Sequence, residues 1–390
     1  MQPQIVDVAV VGAGPAGATA ARELSEAGAR VALIERERLP RYKSCAGGVP
    51  VRTAALLPFP IDSVIEDSVA GLNVSYFGRH AFSRWSEAPF AHMVMRSRFD
   101  ALLTERAQDA GAELLDGAPL HRVERNRTGF DLLAGEHTIR AAYLVGADGA
   151  NSAVARVTGL GVGLHETVAL EAEVCAPRSA LDRWRGMVNV DFGYRPWGYG
   201  WVFPKARLLS VGLVLPRYAG RDLRASLRRY LDGLGLGNAQ TERVIGHKLL
   251  LRRANTPIAG AGAVVVGDAA GLVDEFTEEG IYYAVRSGGL AARAILEALG
   301  RGSPALHGYQ RLVDSDIQPE LRAARVIAEL FYGTLRRAPR LMLGLGERVA
   351  YFWDAFFRIQ QGRSSYDQEL RRAWWLRPLA PLVLRAARNG

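Results

Sequence analysis

The sequence predicts an α/β protein in three parts: a Rossmann-like nucleotide-binding domain, an inserted antiparallel β-sheet domain and a helical C-terminal region. Three observations predict it. A glycine-punctuated strand–turn–helix–strand opens the chain. Two apolar strand-and-turn segments return near Asp148 and Asp268. A block of short, aromatic-rich strands lies between them, and beyond them apolar residues recur every three or four positions.

The opening unit is "DVAVVGAGPAGATAARELSEAGARVALIERE". Val8, Val10 and Val11 read as a buried parallel strand. Gly12, Gly14 and Gly17 form G-x-G-x-x-G, with Ala16 inside it. The first glycine permits the turn, the second lets backbone approach a pyrophosphate, and the third allows close helix–strand packing. The helix that follows offers free N–H groups and a positive dipole end to that phosphate. Glu35, 18 residues after Gly17, ends the second strand where a carboxylate accepts from ribose hydroxyls, with Arg36 beside it. This establishes a dinucleotide but does not separate FAD from NAD.

The later segments separate them. "YLVGADGANSAVAR" runs a strand into Asp148, and "AVVVGDAAGLVDEFTEEGIYYAVRSGG" runs one into Gly267-Asp268 and on to a long helix. This arrangement resembles the FAD domain shared with aromatic hydroxylases. The resemblance implies that Asp268 binds the ribose side of FAD and that the helix start at Gly280 and Ile281 faces the flavin. It gives Asp148 to the same site. It also implies that Arg96, before a helix opened by Ser97 within 93–115, reaches the cofactor, and that the backbone at Val123 pairs with adenine.

"RYKSCAGGVP" (41–50), "PWGYGWVFPK" (196–205) and "GDAAGLVDEFTEEGIYYAVRSG" then resemble, together and in order, the geranylgeranyl reductase family of flavoproteins. The family saturates isoprenoid double bonds with FAD. The resemblance covers about residues 5–300. Two departures stand out: Cys-Ala-Gly-Gly replaces a usual Cys-Gly-Gly, and of the Gly-x-Gly that usually follows the aromatic strand only Gly212 matches.

Saturating an isolated alkene takes a hydride and a proton, and the alkene offers no polar handle, so its binding comes from apolar burial. Trp197, Tyr199, Trp201 and Phe203 fall at every second position and share one strand face. They are the expected wall for a prenyl chain, with Tyr199 and Trp201 nearest the chemistry as the family's motif implies; the other reading is a sandwich core. Cys45 sits in a small-residue loop, where Ala46 and Gly47 let backbone approach a flat ring, beside the cation Lys43. Its expected role is to tune the flavin, to donate a proton or only to pack. Cys175 is expected in the core, and Glu278 and Glu279 as turn residues. No metal spacing occurs among the seven histidines.

The 390 residues are 49% hydrophobic, enough for two or three domains. The expected FAD-binding domain is 1–67, 93–157 and 255–310; the substrate-binding sheet domain is 68–92 and 158–254; the helical region is 311–390. The net charge is +9, and residues 311–390 carry 14 Arg against 8 acidic residues, with Trp374 and Trp375. That pattern fits a peripheral membrane contact, phosphate-bearing substrates or a solvated arginine face; without a recognition motif it does not indicate nucleic acid. A cytoplasmic monomer or weak oligomer is expected, since neither a signal segment nor an apolar run of about 18 residues is legible. No separate nicotinamide domain is legible either, which leaves NADPH binding transiently or a ferredoxin as reductant. Two rivals stand beside the reductase: a flavin monooxygenase or halogenase on the same fold, for which Lys43 or Lys205 offers a channel lysine, and a flavin-binding lipid carrier without turnover.

Overall fold

The computed structural model describes residues 2–193, 198–216, 222–253 and 256–373. Trp197 and the basic stretch from Trp374 onward lie outside the described residues.

β1 (Gln4–Val11) and β2 (Val31–Ile34) flank α1 (Pro15–Glu26), as the glycine spacing predicts. Val8 to Val11 and all of β2 are buried, the mark of central parallel strands. Missing side chains let α1 close on the sheet: a Cβ on Gly17 would lie 3.0 Å from the Ala147 Cβ and nearer still to the Gly12 carbonyl.

β3 (Gly48–Pro50), the one-turn α2 (Val51–Ala54) and β4 (Ile65–Val69) follow. β5 (Gly71–Tyr76) and β6 (Arg79–Trp85) form a hairpin, and β7 (Ala91–Val94) returns between β3 and β4. The resulting three-stranded sheet was not expected; strands of three to five residues are too short to show a period. α3 (Arg96–Asp109) starts one residue before the expected Ser97, and its cap position, Met95, makes no side-chain bond. β8 (Glu113–Leu115), β9 (Leu120–Arg125), β10 (Phe130–Ala134), β11 (His137–Gly146) and the Ser152-capped α4 (Ala153–Thr158) complete this stretch.

The inserted sheet uses β12 (His165–Cys175), β13 (Met187–Phe192), β14 (Tyr199–Pro204), β15 (Leu209–Pro216) and β16 (Gln240–Leu251). Together with the β5–β6 hairpin they run in the order β16-β12-β15-β14-β13-β5-β6. Neighbours are antiparallel except β13 and β5, which run parallel. α5 (Arg178–Trp184) and α6 (Leu223–Gly233) cover one face, where Leu170, Val202, Leu213, Leu227 and Tyr230 pack together. Gly200 serves that packing, since a Cβ there would lie 2.8 Å from the Tyr230 ring. β16 escaped the sequence reading because an edge strand tolerates the charges of "QTERVIGHKLLL".

β17 (Ala263–Val265) finishes the first sheet, whose parallel strands run β8-β2-β1-β11-β17, with β10 and β9 added antiparallel along the start of β11. α7 (Ile281–Arg301) then crosses α1, and a Cβ on Gly288 would lie 3.2 Å from the Ala16 carbonyl carbon. α8 (His307–Asp316), α9 (Gln318–Arg337), α10 (Pro339–Arg348), α11 (Ala350–Gln360) and α12 (Tyr366–Arg372) end the described chain. The helical region thus begins with α8 at His307, a few residues ahead of the expected 311. α9 and α11 press Ala328, Tyr332, Leu335 and Phe357 against Leu72, Val74, Val188 and Phe192 of the inserted sheet. Among the described residues, no helix is long and apolar enough to cross a membrane.

Candidate active site

A cavity of about 940 Å³ runs from the Gly12–Gly14 turn, past the Cys45 loop, to α9 and α11. That is the upper range for small-molecule pockets.

Its nucleotide end is built from backbone. Gly12 has φ +104, and a Cβ there would lie 2.6 Å from the Ala147 carbonyl carbon. Gly14 caps α1 and faces open space, with the Arg41 guanidinium 3.9 Å from where its Cβ would be. Glu35 is buried; it accepts from the Ala13 N–H at 3.0 Å and pairs with Arg41 at 3.3 Å. Arg41 also pairs at 2.9 Å with the fully buried Asp100, which holds Arg96 through two bonds of 2.8 and 2.9 Å. The two arginines therefore share one carboxylate and present a fixed positive edge.

Most of the expected cofactor residues line this cavity: Gly12, Gly14, Ala16, Glu35, Arg36, Cys45, Ala46, Gly47, Arg96, Asp148, Asp268, Gly280 and Ile281. Gly17 and Val123 do not. Gly17 packs α1 on the sheet, and Val123 is buried in the β9–β10 ladder opposite Leu132; Ala118, Pro119 and Leu120 form the wall at that end. Asp148 lines the cavity while its carboxylate accepts from the N–H groups of Ala153 and Val154 and from the Ser152 hydroxyl. Asp268 does not cap a helix in this way. Its carboxylate lies 3.6 Å from His247 Nε2, which is 3.1 Å from the Lys43 ammonium. Burial pushes Asp268 up, but the hydrogen bond from His247 and the charge of Lys43 outweigh it and hold the carboxyl at about 2. Burial in turn lowers Lys43.

The Cys45 loop is tied down by Lys205, at the end of β14. Its buried ammonium donates to the Ala46 carbonyl at 2.7 Å and the Gly47 carbonyl at 3.3 Å, and burial lowers its pKa to about 8 against the pull of Glu171. Gly47 needs its freedom, with φ +66 and the Lys205 Nζ 2.8 Å from where a Cβ would sit. Cys45 Sγ accepts from the Gly47 N–H at 3.4 Å. Cys175 is not core: it is half-exposed at the end of β12, its thiol donating to Glu242 at 3.1 Å.

Beyond the loop the cavity turns apolar. Tyr199, Trp201 and Phe203 all face it, as the period-2 reading expects. The Trp201 N–H donates to the Ser210 hydroxyl at 3.2 Å, and Ser210 donates to buried Glu171 at 2.6 Å. Tyr199 and Trp201 meet edge-on at 6.4 Å, and the Tyr199 hydroxyl donates to the Thr277 carbonyl. Phe192, Phe276, Phe331, Trp353 and Phe356 extend the apolar lining to α9 and α11.

The sequence passed over Glu278 and Glu279 as turn residues. Both line the cavity, and burial raises their carboxyls to about 8 and about 7. His247 and Arg41 were missed as well.

An FAD-binding-domain family model matches residues 5–191. The chain is 35% identical over 314 residues, 77% of both chains, to the geranylgeranyl diphosphate reductase of Rhodobacter capsulatus. The chain belongs to the geranylgeranyl reductase family. It is 30% identical, over 73% of its length and 75% of the relative's, to the menaquinone reductase of Mycolicibacterium smegmatis. A geranylgeranyl bacteriochlorophyll reductase-like protein from Thermoplasma acidophilum superposes with a TM-score of 0.76 at 25% identity, covering 84% of this chain and 88% of that one. The geranylgeranyl reductase family member described here is accordingly an FAD-dependent oxidoreductase. The residues fit that cofactor: the open N-terminus of α1 at Gly14 suits a pyrophosphate, buried Glu35 suits a ribose, and the bare Ala46-Gly47 backbone leaves room for a ring.

Proposed function

We propose that this protein saturates carbon–carbon double bonds of a prenyl chain carried by a lipid, a diphosphate or a quinone. One observation carries the reading: an aromatic, apolar cavity continues without a break from the nucleotide end to α9 and α11. Such a wall suits a substrate with no polar handle along its reacting length, because each ring offers on the order of 150–250 Å² of apolar contact.

When bound, reduced flavin supplies the hydride. The protein's own residues do the rest. Gly14 and the α1 terminus would take the pyrophosphate, and Glu35 and Asp268 would take ribose-side hydroxyls. Lys205 holds the Ala46-Gly47 backbone in place, where it would border the ring. Tyr199, Trp201 and Phe203 hold the prenyl chain flat, and Phe331, Trp353 and Phe356 close the far end and exclude water. Lys205 is committed to two loop carbonyls, and Lys43 to the Ser44 carbonyl at 3.3 Å and to His247 at 3.1 Å, which disfavours the halogenase reading that needs a free channel lysine.

The test is anaerobic. The flavin-loaded protein is chemically reduced and mixed with geranylgeranyl diphosphate, a menaquinone and a prenylated lipid. Flavin reoxidation with a gain of two mass units per double bond is the expected result. Reoxidation only on admitting air, with a gain of oxygen or halogen, refutes it. NADPH and reduced ferredoxin, supplied separately, identify the reductant.

A further inference from the structure

We infer that Glu278 is the acid of this site, giving its proton to one former alkene carbon as the other takes the hydride. The inference rests on the prenyl-reductase reading. The carboxyl O–H of Glu278 breaks and a C–H bond forms with the alkene's π electrons. The second C–H bond comes from the hydride of reduced flavin, which is oxidised by two electrons. Glu278, left as a carboxylate, takes a proton from solvent before the next turnover, and the flavin's reductant restores the hydride.

Three observations carry this. The first is backbone. Glu278 has φ +57, a left-handed conformation that penalises any residue with a Cβ and that glycine would adopt freely. The other described non-glycine residues in that region, Phe77 and Asp222, sit in an exposed hairpin turn and just before α6. Glu278 alone among the three lines the cavity. Strain held at a cavity wall points to a side chain kept there for use.

The second is position. Thr277, just before it, accepts the Tyr199 hydroxyl, and Gly280, two residues on, caps α7. The Glu278 N–H donates to the Asp274 carbonyl at 2.8 Å. The loop is thus pinned against the aromatic wall on one side and against the helix start nearest the nucleotide end on the other.

The third is company. The Thr167 hydroxyl of β12 donates to the Glu278 carboxyl at 3.2 Å. Among the described residues, no lysine, arginine or histidine forms an ion pair with it. The titratable groups that face it are Tyr199 of β14, Tyr332 of α9, and Asp274 and Glu275 of its own loop. None is a cation. Burial, with Asp274 and Glu275 adding to it, raises the carboxyl to about 8, so it carries a proton at neutral pH. Glu279 is placed differently: its carboxylate accepts from the Tyr282 N–H at 2.7 Å and has Arg52 at 3.9 Å. Tyr199 is a poorer acid, since burial raises its hydroxyl far above the ordinary tyrosine value.

The test uses Glu278→Gln and Glu278→Gly in the flavin-loaded protein. Glycine relieves the backbone, so Glu278→Gly should match or exceed the wild-type thermal midpoint and retain its flavin. Infrared difference spectra, wild type minus each variant, should show at pH 7 a protonated-carboxyl band that disappears as pH passes about 8, over and above the Glu279 signal that both variants keep. In anaerobic stopped flow, both variants should reoxidise reduced flavin with a prenyl compound some 10²–10⁴-fold more slowly, and lose the alkaline fall in rate near pH 8. A wild type without that band, or variants as fast as wild type, overturns the inference and leaves the prenyl-reductase reading standing. Wild-type flavin that reacts with no prenyl compound overturns that reading and the inference with it.

Discussion

Trp201 and Gly212 face each other across β14 and β15, and the tryptophan ring occupies the space a side chain at 212 would need. A Cβ added at Gly212 would lie 2.6 Å from the Leu170 carbonyl oxygen, with the ring carbons Cζ2 and Cη2 nearer still. Gly212→Ala therefore forces the ring out of place. Overpacking of this kind costs about 1–3 kcal/mol. The displaced ring also loses its bond to Ser210, a further cost of about 1 kcal/mol. The expected destabilisation is about 2–4 kcal/mol, read from urea unfolding, with a matching loss of prenyl-dependent flavin reoxidation. Trp201→Leu frees the space. In that background Gly212→Ala should retain only the cost of the backbone clash with Leu170, leaving a coupling of about 1–3 kcal/mol between the two sites. Equal costs in both backgrounds would refute the claim that the glycine exists to seat the ring.

Lys205→Met should loosen the Cys45 loop. Losing two charge-assisted bonds to Ala46 and Gly47 should speed alkylation of Cys45 by iodoacetamide about 10–100-fold, and an unchanged rate would show that something else holds the loop. Glu278 and Glu279, at about 8 and about 7, keep protons in the folded chain that the unfolded chain has released. Their contribution to stability is complete below the ordinary glutamate range and is lost as pH rises through 7 and 8. Glu278→Gln should make the decline between pH 5 and 7 shallower by up to about 1.4 kcal/mol per pH unit, measured by unfolding at each pH. Trp353→Ala, at the far wall, should shift preference toward bulkier prenyl compounds in competition assays; an unchanged ranking would place the reacting chain elsewhere.

The nucleotide end was legible because its residues are chosen for backbone reasons that leave a sequence trace. Gly12, Gly14 and Gly17 keep one spacing wherever a strand turns into a helix over a phosphate, and Glu35 follows at the length of the helix between. The wall at Tyr199, Trp201 and Phe203 was legible because a strand alternates faces. What escaped reading is what depends on distant partners. His247 sits on an edge strand whose charges hide its period, and only folding sets it beside Asp268 and Lys43. Arg41 matters because α3 delivers Asp100 to it from 59 residues away. Glu278 looks like a turn residue because it occupies a turn; its burial comes from β12, β14 and α9.

The crossing of α1 and α7 carries a consequence for how the protein is made. The two helices touch backbone to backbone at Gly288 and Ala16, yet 254 residues separate the end of α1 at Glu26 from Gly280, the cap of α7. At about 5–20 residues per second, the first helix leaves the ribosome roughly 13–50 s before its partner. Throughout that interval α1 stands without the helix that packs on it, and β11, once made, waits for β17 at its free edge, leaving apolar surface of the first core bare. The nascent chain must therefore be sheltered until about three-quarters of it has emerged, and a chaperone that recognises bare valine-rich strands should be found on its translating ribosomes.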